Sequence, residues 1–232
     1  MKSFMIFLLS VGFVAVSMAQ TACKGFFAFE KNGLIEYTTY DKKGEVQLLS
    51  SHKITKVEST ADGTVEATVE TVTTDEKGNK PMEGQFVVRC KDNVLVMDVT
   101  SMLGPQATSA FANLEISVTG DDLQLPSSLS VGQELPDASS KIKAGSGGVS
   151  LITMTVNILN RKVVAKETVQ TAAGSFECYK INYTTETKTL GTRSIETSTW
   201  YAEGVGMVRQ ESYDKKGKLE SKMELTKFEK GK

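Results

Sequence analysis

Short runs of alternating apolar and polar residues occupy most of the chain. Val65, Ala67 and Val69 alternate with Thr and Glu, and Phe86–Val88, Val94–Val96 and Leu114–Val118 are short β-branched runs. Leu151–Val156, Lys162–Val169 and Tyr179–Tyr183 continue the pattern downstream. A period of two places every second side chain on one face of a strand, so these runs predict half-buried strands. Turn formers stand between them: Asn32-Gly33, Asp62-Gly63, and the Lys-Gly or Glu-Lys-Gly groups ending at Gly44, Gly78 and Gly217. Glycine supplies the positive φ that tight hairpins need. The pattern predicts an all-β chain with at most one short helix, at Met102–Asn113, where Ala107, Ala110 and Ala112 follow Pro105.

Two larger features organise these runs. Tyr40-Asp41-Lys42-Lys43-Gly44 returns as Tyr213-Asp214-Lys215-Lys216-Gly217, which predicts equivalent hairpins and leaves room for two similar halves. The only aromatic between residues 87 and 175 is Phe111, and all four prolines (Pro81, Pro105, Pro126 and Pro136) fall in the middle of the chain. Residues 119–148, with two of those prolines and Ala144-Gly145-Ser146-Gly147-Gly148, read as an extended connection between halves 24–118 and 149–232.

The first nineteen residues change the picture of where the chain works. Met1, Lys2, the apolar stretch Phe4–Val16 and Ser17-Met18-Ala19 have the order of a secretory signal peptide, so 20–232 is expected as a single exported β-rich domain. Without that leader, 26 basic residues face 28 acidic ones, a balance that favours neither nucleic acid nor anionic lipid. No later run reaches the length of about 18 apolar residues that suggests a membrane helix. A periplasmic, outer-membrane-associated or extracellular location is the expectation.

Export also makes a disulfide reasonable. Of Cys23, Cys90 and Cys178, the last sits in a strand-like context as a buried thiol, which makes Cys23 with Cys90 the favoured pair. An N-terminal Cys after an apolar leader can instead be lipidated, but Gln20-Thr21-Ala22 lacks the upstream Leu such sites usually carry.

Little in the sequence suggests catalysis. One histidine, His52, leaves no second imidazole for a metal site and no choice of base for a nucleophilic triad. Neither a metal site nor a cofactor is expected. Glu167 shares its parity with Val163, Ala165 and Val169, and a carboxylate held among apolar neighbours could act as an acid. A bulge or an outward apolar face explains the same pattern. Asp121, Asp122 and Asp137 flank a turn-rich stretch without the spacing of a calcium ladder. Residues suited to an apolar ligand are Met102, Leu103, Phe111 and Met154 in the middle of the chain, and Trp200, Tyr201 and Met207 around Gly204-Val205-Gly206.

Four segments occur in a telling order: Tyr-Asp-Lys-Lys-Gly, Leu129–Asp137, Ala173–Ile181 and Trp200–Val208. Together they resemble the TapB-like exported proteins of Bacteroidota, which are related to a domain of unknown function. The resemblance implies a curled antiparallel sheet, β-roll or open half-barrel, similar in shape to envelope carriers of lipid or lipoprotein, and it brings no catalytic residues. The expected function is non-enzymatic binding of a hydrophobic or lipid-like ligand on that sheet. A scaffold or assembly role with an envelope protein partner is the alternative, and a carboxylate-dependent hydrolase the second.

Overall fold

The computed structural model describes residues 25–97, 114–147 and 149–231. Among these residues thirteen strands form in chain order: β1 Leu34–Asp41, β2 Val46–Ser59, β3 Val65–Asp75, β4 Met82–Lys91, β5 Val94–Met97, β6 Glu115–Gly120 and β7 Leu123–Pro126. They continue with β8 Ala138–Ser146, β9 Val149–Thr171, β10 Gly174–Lys188, β11 Thr192–Ala202, β12 Gly206–Tyr213 and β13 Leu219–Glu229. The described residues contain no helix, and Met102–Asn113 lies outside them. Each alternating run became strand, and Leu151–Val156 and Lys162–Val169 merged into the single 23-residue β9.

All thirteen strands join one antiparallel sheet in the order β6-β8-β9-β10-β11-β12-β13-β1-β2-β3-β4-β5-β7. Its two edges, β6 and β7, are consecutive in the chain with only Asp121 and Asp122 between them. Three Cα steps span at most about 11 Å, so the sheet curls until its opposite edges meet at this point. Gly120 makes that switch of partners: its φ is 135°, and a Cβ there would lie 2.2 Å from Ser139 O. Asp121 N–H donates to Ser139 O at 2.9 Å, and Ser140 Oγ donates to Asp121 O at 3.0 Å. The expected curled sheet is therefore present. The stretch 119–148 is not a free connection, because it holds the end of β6, all of β7 and β8, and Leu129 and Leu135 in the core.

The hairpin echo has a local cause. Asp41 Oδ1 accepts from the N–H groups of Lys43 and Glu45, and Asp214 Oδ1 accepts from those of Lys216 and Lys218. Asp75 does the same for Lys77 and Asn79 in a turn outside the echo. Gly44, Gly78 and Gly217 close these turns at φ 84°, 77° and 73°. One turn chemistry, an aspartate gathering two amides before a left-handed glycine, thus accounts for all three.

Apolar residues from β2 to β5 and from β7 to β10 meet in one core, including Ile54, Val69, Val88, Leu95, Leu125, Ile142, Val163 and Ile181. That mixture from both ends of the strand order is what a curled sheet packed on itself produces. A second core gathers Ile35, Tyr37, Val169, Cys178, Trp200, Val208 and Leu225 around the middle of the strand order.

Candidate functional site

The interior of the curl is aromatic, and part of it does not belong to the sheet. Phe26, on the segment ahead of β1, is 1% exposed and packs edge-on against Tyr179 at 5.9 Å and Tyr201 at 6.3 Å. Gly25 O accepts from Gly204 N–H at 2.8 Å, anchoring this segment to the β11–β12 turn. Phe26 therefore fills the core as a plug and not as a rung of the ladder.

Beside this plug lies a charge. Asn182 pairs with Lys162 and Thr184 pairs with Leu159, so Tyr183 faces two residues, Asn160 and Arg161. Asn160 takes up the extra residue in the left-handed region at φ 56°. A bulge of this kind re-aims the neighbouring side chain, and Arg161 is only 4% exposed. Its Nη1 donates to Pro136 O at 2.7 Å. Among the described residues no carboxylate lies within ion-pair distance of its guanidinium. Burial holds its pKa below the usual arginine value, against the opposing influence of Tyr201, Tyr183 and Asp137. Tyr183 shares a 3.1 Å hydrogen bond with Thr199, and burial pushes both Tyr183 and Tyr201 above the ordinary phenol range. The segment over Arg161 is tied down by Leu135 N–H to Arg161 O, Val163 N–H to Gln133 O and Gly132 N–H to Val163 O, at 2.8–2.9 Å.

On the other face runs a row of direct cross-strand partners, Ala165, Lys180, Trp200, Arg209, Glu224 and Thr38. Trp200 Nε1–H donates to Glu167 Oε1 at 2.5 Å, while Lys180 Nζ stands 4.6 Å and Arg209 Cζ 5.8 Å from the indole centroid. Arg209 also pairs with Glu224 at 2.7 Å and donates to Gln170 O, leaving its buried Nε without a partner. These contacts saturate the row and explain how Trp200, 4% exposed, is held.

The sequence-nominated residues are scattered by this geometry. Met102, Leu103 and Phe111 lie outside the described residues. Tyr201 and Met154 pack on the first core, and Trp200 and Met207 on the second. Glu167 does not share a face with Val163: the register shift that pairs Lys180 with Ala165 but Ile181 with Val163 separates their parities. The carboxylate is exposed and serves as the indole's acceptor. Arg161 is not among the nominated residues, although alternation with Val163, two residues on, places it on the inward face; a lone arginine in a strand pattern carries no signal of burial by itself.

Cys178 is a free, buried thiol whose pKa burial pushes up to about 11. Cys23 lies outside the described residues, but Gly25, two residues on, would meet Ser127 at 3.5 Å with an added Cβ, and Ser127 N–H donates to Asn93 O at 2.8 Å. Asn93 is three residues beyond the buried Cys90. An open surface cleft of about 360 Å³ near β3 and β4 is lined by Asp62, Glu66, Arg89 and Lys91. Its charges neutralise one another as Lys91–Asp62 and Arg89–Glu66 pairs at 2.8 Å. Among the described residues no three His, Cys, Asp or Glu side chains gather as a metal site, and no helix is long and apolar enough to cross a membrane.

A family model described as DUF3108-like matches residues 31–225. No curated protein matches the chain. Among solved structures, a Bacteroides fragilis protein assigned as exported, with a YmcC-like fold, is 23% identical at a TM-score of 0.73, covering 90% of this chain and 100% of its own. A Parabacteroides distasonis protein assigned as a lipoprotein is 24% identical at a TM-score of 0.76, covering 89% of this chain and 99% of its own. Both likenesses cover about nine tenths of the chain, and at this identity they speak for fold.

Proposed function

We propose that this chain, which belongs to the DUF3108-like family, is an exported, non-enzymatic envelope protein that binds a hydrophobic or lipid-like ligand inside its curled sheet. The leader Met1–Ala19 supports export, as do the assignments of the Bacteroides and Parabacteroides proteins of the same fold. The likeness to the TapB-like proteins is part of the same reading. The observation that carries ligand binding is Phe26: the aromatic interior formed with Tyr179 and Tyr201 is occupied by a residue outside the hydrogen-bonded ladder. A plug held by packing and by the Gly204–Gly25 backbone bond exchanges for an apolar ligand more readily than a strand does.

The experiment is native mass spectrometry of protein purified from its own envelope fraction, combined with organic extraction. A retained amphiphile at one per chain is the expected result. Lipid-free protein that also takes up no fluorescent fatty-acid probe overturns the ligand reading.

A protein-binding role has its own observation. β9 outruns β10, whose pairing ends at Thr155, so Val149–Met154 pair only with β8. Val149 and Leu151 are 63% and 65% exposed on that free edge, which suits strand addition by a partner. Cys23 and Cys90 form the disulfide in this proposal, clasping the plug segment to β4. That bond and a lipid on Cys23 exclude each other, because both consume the same sulfur.

A further inference from the structure

Arg161 poses a physical question that the hydrophobic-ligand reading leaves open. A guanidinium offers five N–H donors, yet the hydrogen bond of this one goes to Pro136 O. Removing a charge from water without an opposite charge beside it is costly, and proteins normally pair such groups. Asp137 influences Arg161 only from a distance; it is exposed and makes no ion pair with it. Tyr183 stands opposite Arg161 across the β9 bulge, Tyr201 also acts on its charge, and both phenols, neutral at ordinary pH, belong to the same core as Phe26. The guanidinium shares its face with buried Val163, two residues on, and the β9 bulge at left-handed Asn160 puts it on the same face as Ile158 as well.

We infer that Arg161, flanked by Tyr183 and Tyr201, is the anchor for a carboxylate or phosphate oxyanion, carried as the head group of an amphiphile whose tail enters against Tyr179 where Phe26 packs. The inference rests on the interior-ligand proposal and sharpens it from any lipid-like molecule to an anionic one. A guanidinium receives a carboxylate or phosphate through two parallel N–H···O bonds, and neighbouring phenols add neutral donors without competing charge. Arg161, at 4% exposure, takes part in none of the ion pairs formed among the described residues. Selection for an acid over the matching alcohol follows, since the alcohol leaves the buried charge unmatched.

The test uses the full mature protein with oleate, oleyl alcohol and acetate, in the wild type and in Arg161→Met and Arg161→Lys. Affinities come from displacement of a fluorescent fatty-acid probe, and stability from thermal melts without ligand. One bidentate charged contact corresponds to roughly a tenfold or larger preference for oleate over oleyl alcohol. That preference is expected to vanish in Arg161→Met and to fall to an intermediate value in Arg161→Lys, with the melting temperature of Arg161→Met equal to or above that of wild type. Competition by millimolar acetate would identify the free anion as sufficient; its absence would place the recognition in the amphiphile. Equal binding of oleate and oleyl alcohol by wild type overturns the anchor and spares the interior-ligand reading, whereas binding of neither overturns both. An Arg161→Met protein that melts well below wild type while keeping its oleate preference marks Arg161 as a strut for the 129–137 segment and also overturns the anchor. If Arg161→Met does not fold, an unchanged oleate preference in Arg161→Lys does the same.

Discussion

His52 makes the stability of this protein depend on pH in a defined window. It sits on β2 between the rings of Tyr37, at 5.3 Å, and Phe86, at 5.7 Å, both nearly edge-on. Burial there pushes its pKa down to about 4 from the ordinary 6.5. The native state therefore resists a proton that the unfolded chain accepts, so the neutral ring's contribution is fully present above pH 6.5. It is lost as pH falls from 6.5 to 4 and changes no further below that. At about 1.4 kcal/mol per pKa unit, the shift corresponds to about 3 kcal/mol, and the remaining solvent contact of the ring reduces this to about 2–3 kcal/mol. Asp41, Asp75 and Asp214 also have lowered pKa values, from backbone N–H groups they accept from, and they lose stability in more acidic solution. A difference measurement removes their contribution. Urea denaturation of wild type and His52→Leu at pH 7, 6, 5 and 4 is expected to show wild type losing about 2–3 kcal/mol relative to the variant between pH 7 and pH 4. A difference that stays constant across that range, or an NMR titration of His52 near 6.5, refutes the argument that burial sets this group's behaviour.

Other perturbations test the fold directly. Phe26→Ala removes the plug and should cost about 3–5 kcal/mol in denaturant unfolding if the plug is a full core member; a loss under about 1 kcal/mol would show that the segment is only loosely seated. Gly120→Ala forces a Cβ to within 2.2 Å of Ser139 O at a left-handed φ, so hydrogen exchange should accelerate in β6 and β7, where the edges meet. Unchanged exchange there would contradict the close approach. Thiol titration of the mature protein under denaturing, non-reducing conditions should detect Cys178 alone, and that thiol should be unreactive in the native state. Three reactive thiols would remove the Cys23–Cys90 disulfide, and an acylated Cys23 in the intact mass would replace it with an anchor.

Much of the architecture was legible before any tertiary information. Strand runs such as Val65–Val69 and Tyr179–Tyr183, and the aspartate–glycine turns at Asp41, Asp75 and Asp214, depend on side-chain alternation and on one residue's φ. Both are properties of a few adjacent residues. The absence of a recognisable triad or metal motif is likewise visible in one dimension. The extended reading of 119–148 was wrong because prolines and glycines mark strand edges and partner switches as readily as loops, and here Pro126 ends an edge strand.

The candidate site was another matter. A face is a consequence of register, and a single inserted residue moves every later side chain across the sheet. The shift opposite Lys180 and Ile181 separated Glu167 from Val163, and the one opposite Tyr183 brought Arg161 onto the same face as Ile158, three residues before it. Neither is written in the alternation of β9 alone, because each is settled by its pairing with β10. The meeting of β6 with β7, and the burial of Phe26 against Tyr179 and Tyr201, depend on the curl accumulated over thirteen strands. Local chemistry thus determined that this chain is an antiparallel β protein. Only tertiary pairing decided that its interior holds an aromatic plug and an unmatched arginine, because burial belongs to the assembled sheet and not to any one strand.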